Sequence, residues 1–568
     1  MKCRLAAILA SMILASGARA QQEFRQPGAP PVTPGTQGFD FTEPPGFLTV
    51  PVPDRNRIIN TLGVPDNPLN PYRQSTLKGD RPLFGDWFVQ LSAILDNFYE
   101  PKAVPVPVDV VATNRPYTGS QFGRPGQDVL STTFLPTFAI IKGDTSFKPP
   151  DFEFRFTPAF NFTHVGTQEL GLIDTDPSRG TNRDSRFFGV QEAFIDYHLW
   201  DVSPRYDFDA IRVGIQPINA DFRGFLFLDQ QLGIRLHGDR DNNRFQYNLA
   251  FFRRIEKDTN SGLNDLAQPL RRDEIFLANL FVQDLPVPGF TTEFSVVENR
   301  NRETEQYYDT DGFLTRPAAI GLENPHTYDV TYFGLNGDGH FGRFNLTQSF
   351  YFAAGNDSQN QISGNKARIR AFFAALEPSV DFDYVRLRGS FLYASGDNHP
   401  GSSTEGGFDA ILENPQFAGA DTSYWIRQAI PLIGGGGVNL VGRDGLLPDL
   451  RSSKDEGQSN FINPGLTLIG AGVDVDVLPE VRVSFNANHL SFNNTAILEI
   501  LEQKSPIRRD IGWDISGAVT WRPFDTQNVV IRASSAFLLP GPGFRDLYAS
   551  ESKGQIFYSG LINVLLTY

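Results

Sequence analysis

The chain has 568 residues, with 50 Lys and Arg against 65 Asp and Glu, and its formal net charge is −15 at pH 7. Its single cysteine is Cys3 and its two methionines are Met1 and Met12. This excludes disulfides, Cys-ligated metals, covalently attached haem and thiol nucleophiles from the rest of the chain. The acidic balance also disfavours non-specific binding of nucleic acid.

The first segment, 1–20, is predicted to be a secretory signal peptide. Lys2 and Arg4 give it a basic start, residues 5–15 are apolar but too few to span a bilayer, and 18–20 form an A-x-A cleavage pattern. The protein is therefore expected to be exported through the inner membrane.

The next segment, 21–80, is rich in proline and has no hydrophobic periodicity. Such composition predicts a largely disordered periplasmic leader, with docking of a partner as the alternative. No later stretch is apolar enough for a membrane-spanning helix. The 49 Phe, 52 Gly and 40 Pro indicate many strands and turns instead.

From residue 81 onward the apolar residues recur with a period of two. In 152–163, for example, Phe152, Phe154 and Phe160 alternate with polar residues such as Glu153 and Asn161. This pattern predicts about eighteen strands (16–18), at 87–95, 132–142, 152–165, 188–200, 210–219, 228–237, 244–254, 273–283, 290–299, 328–336, 342–354, 366–377, 383–394, 466–477, 481–492, 511–522, 528–539 and 555–568.

Short and long connections alternate between these strands. Compact turns are expected at 336–339 and 478–480, while 395–465 is the longest connection. This asymmetry is typical of an all-β transmembrane antiparallel barrel with short periplasmic turns and long external loops. The sequence thus predicts an outer-membrane β-barrel over 81–568, located in the cell outer membrane of a Gram-negative bacterium.

The final strand closes on an aromatic residue. Tyr558, Ile562 and Tyr568 share one face of it, with Val564 and Leu566. A C-terminal aromatic on an alternating strand resembles the signal read by the outer-membrane insertion machinery. An edge strand that ends in tyrosine by chance is the alternative.

The polar faces of the strands are expected to line a lumen too wide for side chains to fill. The basic residues assigned to that lining by alternation are Arg155, Arg212, Arg235, Arg244, Lys366, Arg368, Arg370, Arg386, Arg388, Arg482, Arg522 and Arg532. The acidic ones are Glu153, Glu192, Asp196, Asp474, Asp476 and Asp514. A basic ladder would favour anions, unless the arginines pair with these carboxylates or lie near lipid head groups.

The long connection 395–465 holds more apolar residues than a solvated loop needs, namely Phe408, Phe417, Tyr424 and Trp425. These residues are candidates for a loop that folds into the mouth and constricts the pore. A flap packed on neighbouring loops is the alternative.

Three stretches, at 192–224, 232–252 and 393–411, resemble the alginate-export family of outer-membrane porins. The matching elements are Glu192-Ala193-Phe194, Val213-Gly214-Ile215-Gln216 and Ala394-Ser395-Gly396-Asp397. The resemblance implies an eighteen-stranded barrel with an arginine-rich pore over roughly 85–568. The proline-rich leader departs from that family, and no residue supports alginate itself as the solute.

The leading functional prediction is a porin in contact with outer-membrane lipid, for passive passage of small hydrophilic solutes, with anions and oligosaccharides as the candidate solutes. The alternative is a barrel that sheathes a multihaem cytochrome. We expect no enzyme: no nucleophile-elbow or zinc-protease motif occurs, and the seven His are scattered. No catalytic residue, metal site, cofactor or nucleic-acid partner is predicted. Calcium binding by loop carboxylates such as Asp174 and Asp176 stays open, although turn chemistry explains them.

Overall fold

The computed structural model describes residues 63, 75–105, 123–143, 149–204, 207–317, 321–428, 455–524, 527–547 and 557–568. The predicted signal peptide 1–20 and most of the predicted leader 21–80 lie outside these residues. Among the described helices, none combines the length and apolarity needed to cross a membrane.

Eighteen long strands of the described chain form one closed antiparallel barrel, as the alternation predicted. We number them β1 to β18. They are Trp87–Ala103, Gly126–Lys142, Phe152–Thr167, Asn182–Asp201, Phe208–Asn219, Leu228–Arg240, Phe245–Arg253, Asp273–Gln283, Phe290–Asn301, Tyr328–Phe341, Phe344–Asp357, Ala367–Phe382, Val385–Ala394, Leu466–Leu478, Val481–Phe492, Asp510–Trp521, Val529–Pro540 and Phe557–Thr567. The ring closes where β18 pairs with β1, from Ile94 opposite Thr567 to Ala103 opposite Tyr558.

The connections alternate in length around the whole ring. The shortest are the two-residue turns at 342–343, 383–384 and 479–480, and the longest is 395–465. Because β1 starts and β18 ends at the short-turn rim, both ends of the barrel lie there. The predicted asymmetry between the two rims is confirmed.

The turn expected at 336–339 was placed wrongly. β10 runs on through Gly337 and Gly339 to Phe341, and the turn is Gly342–Arg343, where Gly342 has φ 69°. The two strand glycines make room for an aromatic ring, since a Cβ on Gly337 would lie 2.6 Å from a ring carbon of Phe290. Aromatic cover of strand glycines explains why the chain stays extended there.

The described helices are short and all belong to the long-connection rim. We number them α1 (Tyr424–Arg427), α2 (Ala496–Glu502) and α3 (Pro542–Leu547). Ser423 caps α1, because its hydroxyl accepts a hydrogen bond from the backbone N–H of Ile426 at 3.4 Å.

A short stretch, 75–84, which joins the end of the predicted leader to the barrel segment, covers the barrel seam. β1 starts at Trp87, but its pairing with β18 begins only at Ile94. The first residues of β1 therefore have no barrel strand on the side that faces β18. Lys78 forms a β-bridge with Gln90, and the N–H of Leu91 donates to the carbonyl oxygen of Leu77 at 2.6 Å. The leader thereby satisfies backbone groups that an open sheet edge would leave unpaired.

The candidate channel lumen

The outer wall of the barrel is apolar, as the phenylalanine alternation predicted. Phe160 is 46 % exposed, and its ring lies 6.3 Å from that of Phe134 and 5.1 Å from that of Phe188 on the neighbouring strands. Residues of the opposite face, such as Glu153 and Thr163, are buried. Phenylalanine rows on the outside and polar groups inside match the requirement of a lipid-facing barrel.

One group of predicted lining residues meets on the inner face of β3 to β6. The Nε of Arg212 donates to Asp196 Oδ2 at 2.6 Å, and His237 Nε2 lies 3.1 Å from the same oxygen. Arg155 pairs with Glu153 at 2.7 Å. Two predicted acids of this wall, Glu153 and Asp196, are therefore bound to predicted bases, whereas the third, Glu192, accepts a hydrogen bond from the Thr157 hydroxyl at 2.9 Å.

An inward aromatic ring organises the same group. The guanidinium carbons of Arg155 and Arg212 lie 5.9 and 4.4 Å from the ring centroid of Phe194. Stacking on an aromatic face holds an arginine fork in one orientation and adds a cation–π attraction. Sequence reasoning noted Phe194 only for its family resemblance, because nothing in the alternation distinguishes a stacking platform from a packing residue.

Arg235 differs from its neighbours. It lies on β6 directly opposite Arg212, and its Nε is buried without a hydrogen-bond partner. Among the described residues no ion pair is found for it. Asp196, the carboxylate whose charge acts on Arg235, is already bound by Arg212 and His237.

A second ion-paired group lies on the inner face of β12 to β15. Arg388 donates to both carboxylate oxygens of Asp474, at 2.9 and 3.2 Å, and to Asn486 at 2.8 Å. Glu377 lies 3.8 Å from Arg388 and 3.7 Å from Arg223, a loop arginine that the sequence did not single out. A bidentate pair of this kind fixes the arginine and neutralises its charge.

Three further predicted residues lie near the short-turn rim. Arg386 pairs with Asp381 at 2.5 Å, and Arg482 pairs with Asp476 at 2.6 Å. Arg522 follows β16 and donates to Gln527 at 3.2 Å. These side chains stand at the periplasmic mouth rather than deep in the lumen.

Four of the predicted lining residues do not line the lumen. Arg244 lies in the turn between β6 and β7, where it is exposed and 3.8 Å from Asp241. Lys366, Arg368 and Arg370 are exposed on the outside of the wall, on the same face as Phe372, which is 55 % exposed.

Lys366, Arg368 and Arg370 were assigned to the lumen wrongly because β12 carries apolar residues on both faces. Ile369 and Phe373, which the alternation assigned to lipid, point inward and are 1 and 2 % exposed. They face inward because the loop 395–465 supplies an apolar partner inside the barrel. Without knowing that partner, the sequence offers no way to decide which apolar row meets lipid.

The four candidate constriction residues all lie inside the barrel. Phe408, Phe417, Tyr424 and Trp425 are between 0 and 3 % exposed. The ring of Phe408 lies 5.0 Å from that of Phe373, and it also contacts Tyr332 and Tyr351 on β10 and β11. These contacts form an apolar core on the inner wall in the external half of the barrel.

The described part of this loop then follows the inner wall around the ring. The N–H of Ala418 donates to Glu377 on β12 at 3.0 Å, and Asp421 accepts from Arg532 on β17 at 2.8 Å. Arg427 reaches Glu100 on β1 at 2.7 Å. Residues 395–428 and 455–465 are described, whereas 429–454, including the tetraglycine 434–437, lie outside the described residues.

Two backbone N–H groups of α1 are anchored to one inward acid. The N–H groups of Tyr424 and Trp425 point at the carboxylate of Asp514 on β16, at 3.2 and 3.3 Å. The hydroxyl of Tyr424 donates to the carbonyl oxygen of Ala103 at 2.8 Å. Asp514 was predicted as an inward acid, and its partner is the loop rather than an arginine.

A second inward loop, 220–227 between β5 and β6, was missed by sequence reasoning. Asp221 accepts hydrogen bonds from the backbone N–H groups of Arg223, Phe225 and Leu226. Leu226 in turn receives the N–H groups of Ile411 and Leu412 from the long loop, at 3.1 and 3.2 Å. The sequence signal would have been an Asp that caps the turn just before an apolar run, 225–228.

Asp221 also belongs to a buried polar network. The hydroxyl of Tyr351 donates to Asp221 at 3.0 Å, and Asn336 donates to Tyr351 at 3.0 Å and to Glu293 at 3.2 Å. Burial raises the pKa of the Asp221 carboxyl, and the hydrogen bonds from the backbone lower it in part. This network fixes the inward loop against β9, β10 and β11.

Metal binding has no support within the described ranges, where no group of three or more His, Cys, Asp or Glu is arranged to hold an ion. No protein-family model matches the chain, and no curated protein matches it.

Solved structures give distant likenesses only. Pseudomonas aeruginosa OccK5 (OpdH) is 11 % identical with a TM-score of 0.43, over 84 % of this chain and 97 % of that one. P. aeruginosa OpdK with vanillate is 10 % identical with a TM-score of 0.46, over 84 % and 98 %. Acinetobacter baumannii OccAB3 is 9 % identical with a TM-score of 0.43, over 84 % and 99 %. Likeness at this distance carries no argument about family, solute or assembly.

Proposed function

We propose that this chain is an outer-membrane channel for the passive passage of small hydrophilic solutes. The observation that carries the proposal is the closed ring of eighteen strands with phenylalanine rows outside and ion-paired polar groups inside. A sheet satisfies every backbone group in hydrocarbon only when it is closed. Trp200, Trp513 and Trp521, exposed near strand ends, fit the aromatic belts of such a wall.

Selectivity is proposed to be weakly anionic. Most inward arginines are neutralised by carboxylates, as Arg212 is by Asp196 and Arg388 by Asp474. Arg235 is the inward guanidinium without such a partner among the described residues, so we expect it to hold the excess positive charge. A single uncompensated cation biases a wide pore without excluding cations.

The test is the reversal potential of the purified full chain in a planar bilayer under a salt gradient. The parent should show a reversal potential on the anion side, and Arg235→Gln should move it toward zero. The control is the double variant Arg388→Gln/Asp474→Asn, because it removes an arginine of the same lumen together with the carboxylate that neutralises it and leaves the net charge unchanged. No conductance at all would overturn the channel, and an unchanged potential in Arg235→Gln would overturn its role.

Four finer proposals accompany the channel. Membership in the alginate-export family is proposed from the three stretches quoted above. An oligosaccharide solute is proposed from that membership alone, and liposome swelling with sugars of graded size tests it. Export by residues 1–20 and folding by the insertion machinery through the Tyr568 strand are also proposed. A cytochrome sheath is the weaker alternative, since Phe408 and its loop already occupy part of the lumen.

A further inference from the structure

Three basic residues stand together on the outside of the barrel wall at the long-connection rim. Lys366, Arg368 and Arg370 are all exposed, and they alternate with the inward residues Ala367 and Ile369. We call these three residues the outer basic patch. A cationic group on the outer wall needs an explanation, because that wall otherwise meets lipid.

The patch begins directly above an aromatic row. Phe372 on β12 lies opposite Phe352 on β11 with ring centroids 4.9 Å apart, and Phe333 on β10 continues the row at 6.4 Å. One strand step rises roughly 3.3 Å, so Arg370 and Arg368 stand about 7 and 13 Å beyond Phe372 along the strand. This is the depth at which an aromatic belt gives way to lipid head groups.

The patch has no counter-charge within the described part of the chain. Arg370 lies opposite Ala354, and Arg368 lies opposite Asn356. Two outward arginines of the same rim are paired, by contrast: Arg300 donates to Glu298 at 2.8 Å, and Arg302 donates to both oxygens of Asp329 at 2.5 and 2.7 Å. Asp329, in the same row as Arg368 two strands away, is thereby already occupied.

We propose that the outer basic patch binds the phosphate groups of a phosphorylated glycolipid in the outer leaflet. Charge complementarity carries the assignment, since three uncompensated cations at head-group depth match a surface of lipid phosphates. The assignment rests on the proposed outer-membrane location, which places the long-connection rim in the outer leaflet. It also accounts for basic residues on a strand whose inner face is apolar.

The experiment measures binding of two defined lipids to the purified full chain in detergent: bis-phosphorylated lipid A, and the same lipid with its phosphates removed. The test variant is K366Q/R368Q/R370Q. The control variant is R244Q/R386Q/R482Q, which removes three exposed cations from the opposite rim. Heat modifiability on a denaturing gel and bilayer conductance report folding and channel formation in every variant.

The expected result is that the parent prefers the phosphorylated lipid and the test variant binds it at least about tenfold more weakly, since each basic residue at an anionic lipid surface adds about fivefold. The control should stay within about twofold of the parent. Equal loss in both variants, no preference for phosphate in the parent, or equally good displacement by inorganic phosphate would overturn the proposal. A parent chain that shows no conductance would instead overturn the proposed channel. Failure of the lipid proposal and failure of the channel proposal are therefore distinguishable.

Discussion

Glu100 is the residue whose loss should free the inward loop from the wall. Its Oε1 accepts hydrogen bonds from Arg427 Nε at 2.7 Å, Gln428 Nε2 at 2.6 Å and Ser559 Oγ at 3.0 Å, and Lys102 lies 3.6 Å from its other oxygen. The side chains of Glu100 and Lys102 are only 4 and 3 % exposed. Glu100→Gln therefore leaves the buried Lys102 and the half-buried Arg427 without their carboxylate.

Removing one partner of a buried ion pair costs about 3–5 kcal/mol. The C-terminal end of α1 can escape that cost by leaving the wall, against the Tyr424 hydroxyl, the contacts with Asp514, the Phe98 ring 5.0 Å from Arg427 and the hydrogen bond from Gln428 to Ser559 at 3.3 Å. A change of about 1.4 kcal/mol shifts an equilibrium tenfold, so the detached form should increase by at least about tenfold.

Thiol labelling can measure the detached form, because the only cysteine of the chain lies in the predicted signal peptide. A reporter cysteine in place of Thr422 should react with a maleimide at least about tenfold faster in Glu100→Gln than in the parent. Single-channel conductance should rise in parallel. Glu298→Gln, which breaks an exposed pair on the outer wall, is the matched control. Equal labelling rates and equal conductance in Glu100→Gln and the parent would refute the reasoning.

Three further outcomes are expected. Phe408→Ala removes a ring that packs on Phe373 and should weaken the free energy of loop docking by about 3–5 kcal/mol. The loop should then be labelled faster while the barrel stays heat-modifiable, and a slower labelling rate would contradict this. Deleting 400–460 should raise single-channel conductance, and an unchanged value would make the loop a surface flap. Burial raises the pKa of Glu456 from 4.5 to about 8, so its docked carboxyl is protonated, and the stability it adds is lost as pH rises through about 8. The labelling rate of a cysteine at Ser459, divided by that of a free thiol at the same pH, should therefore rise between pH 5 and pH 9, and Glu456→Gln should flatten this ratio; a parallel slope of the ratio in both chains would disprove it.

The barrel itself could be predicted from the sequence because lipid imposes one rule on every strand. Outward apolar residues such as Phe160 alternate with inward polar residues in most strands of the ring. Every predicted strand has its counterpart in the structure. The two rims could also be told apart, since shorter and longer connections alternate strictly around the ring. The end of β10 was predicted too early, with a turn at 336–339. The reason is that a pair of glycines also fits inside a strand when an aromatic ring such as Phe290 covers it.

The lumen was less predictable because its partners are distant in sequence. Alternation placed Arg212 and Asp196 on one face but could not show that they bind each other from neighbouring strands. It assigned Arg368 to the inside because the chain offered no local sign that Phe373 meets Phe408 there. The inward path of 220–227 was missed for the same reason: its partner is Leu412, far along the chain.

The seam covered by the leader has a practical consequence for anyone who tags this protein. The backbone N–H and carbonyl of Tyr568 both bond to Ala93, and the next positions down the β1 edge are taken by Leu77 and Lys78. A peptide fused after Tyr568 would continue along that edge and compete with the leader for it. Purification handles are better inserted in an external connection, where they would disturb neither closure of the ring nor its final strand.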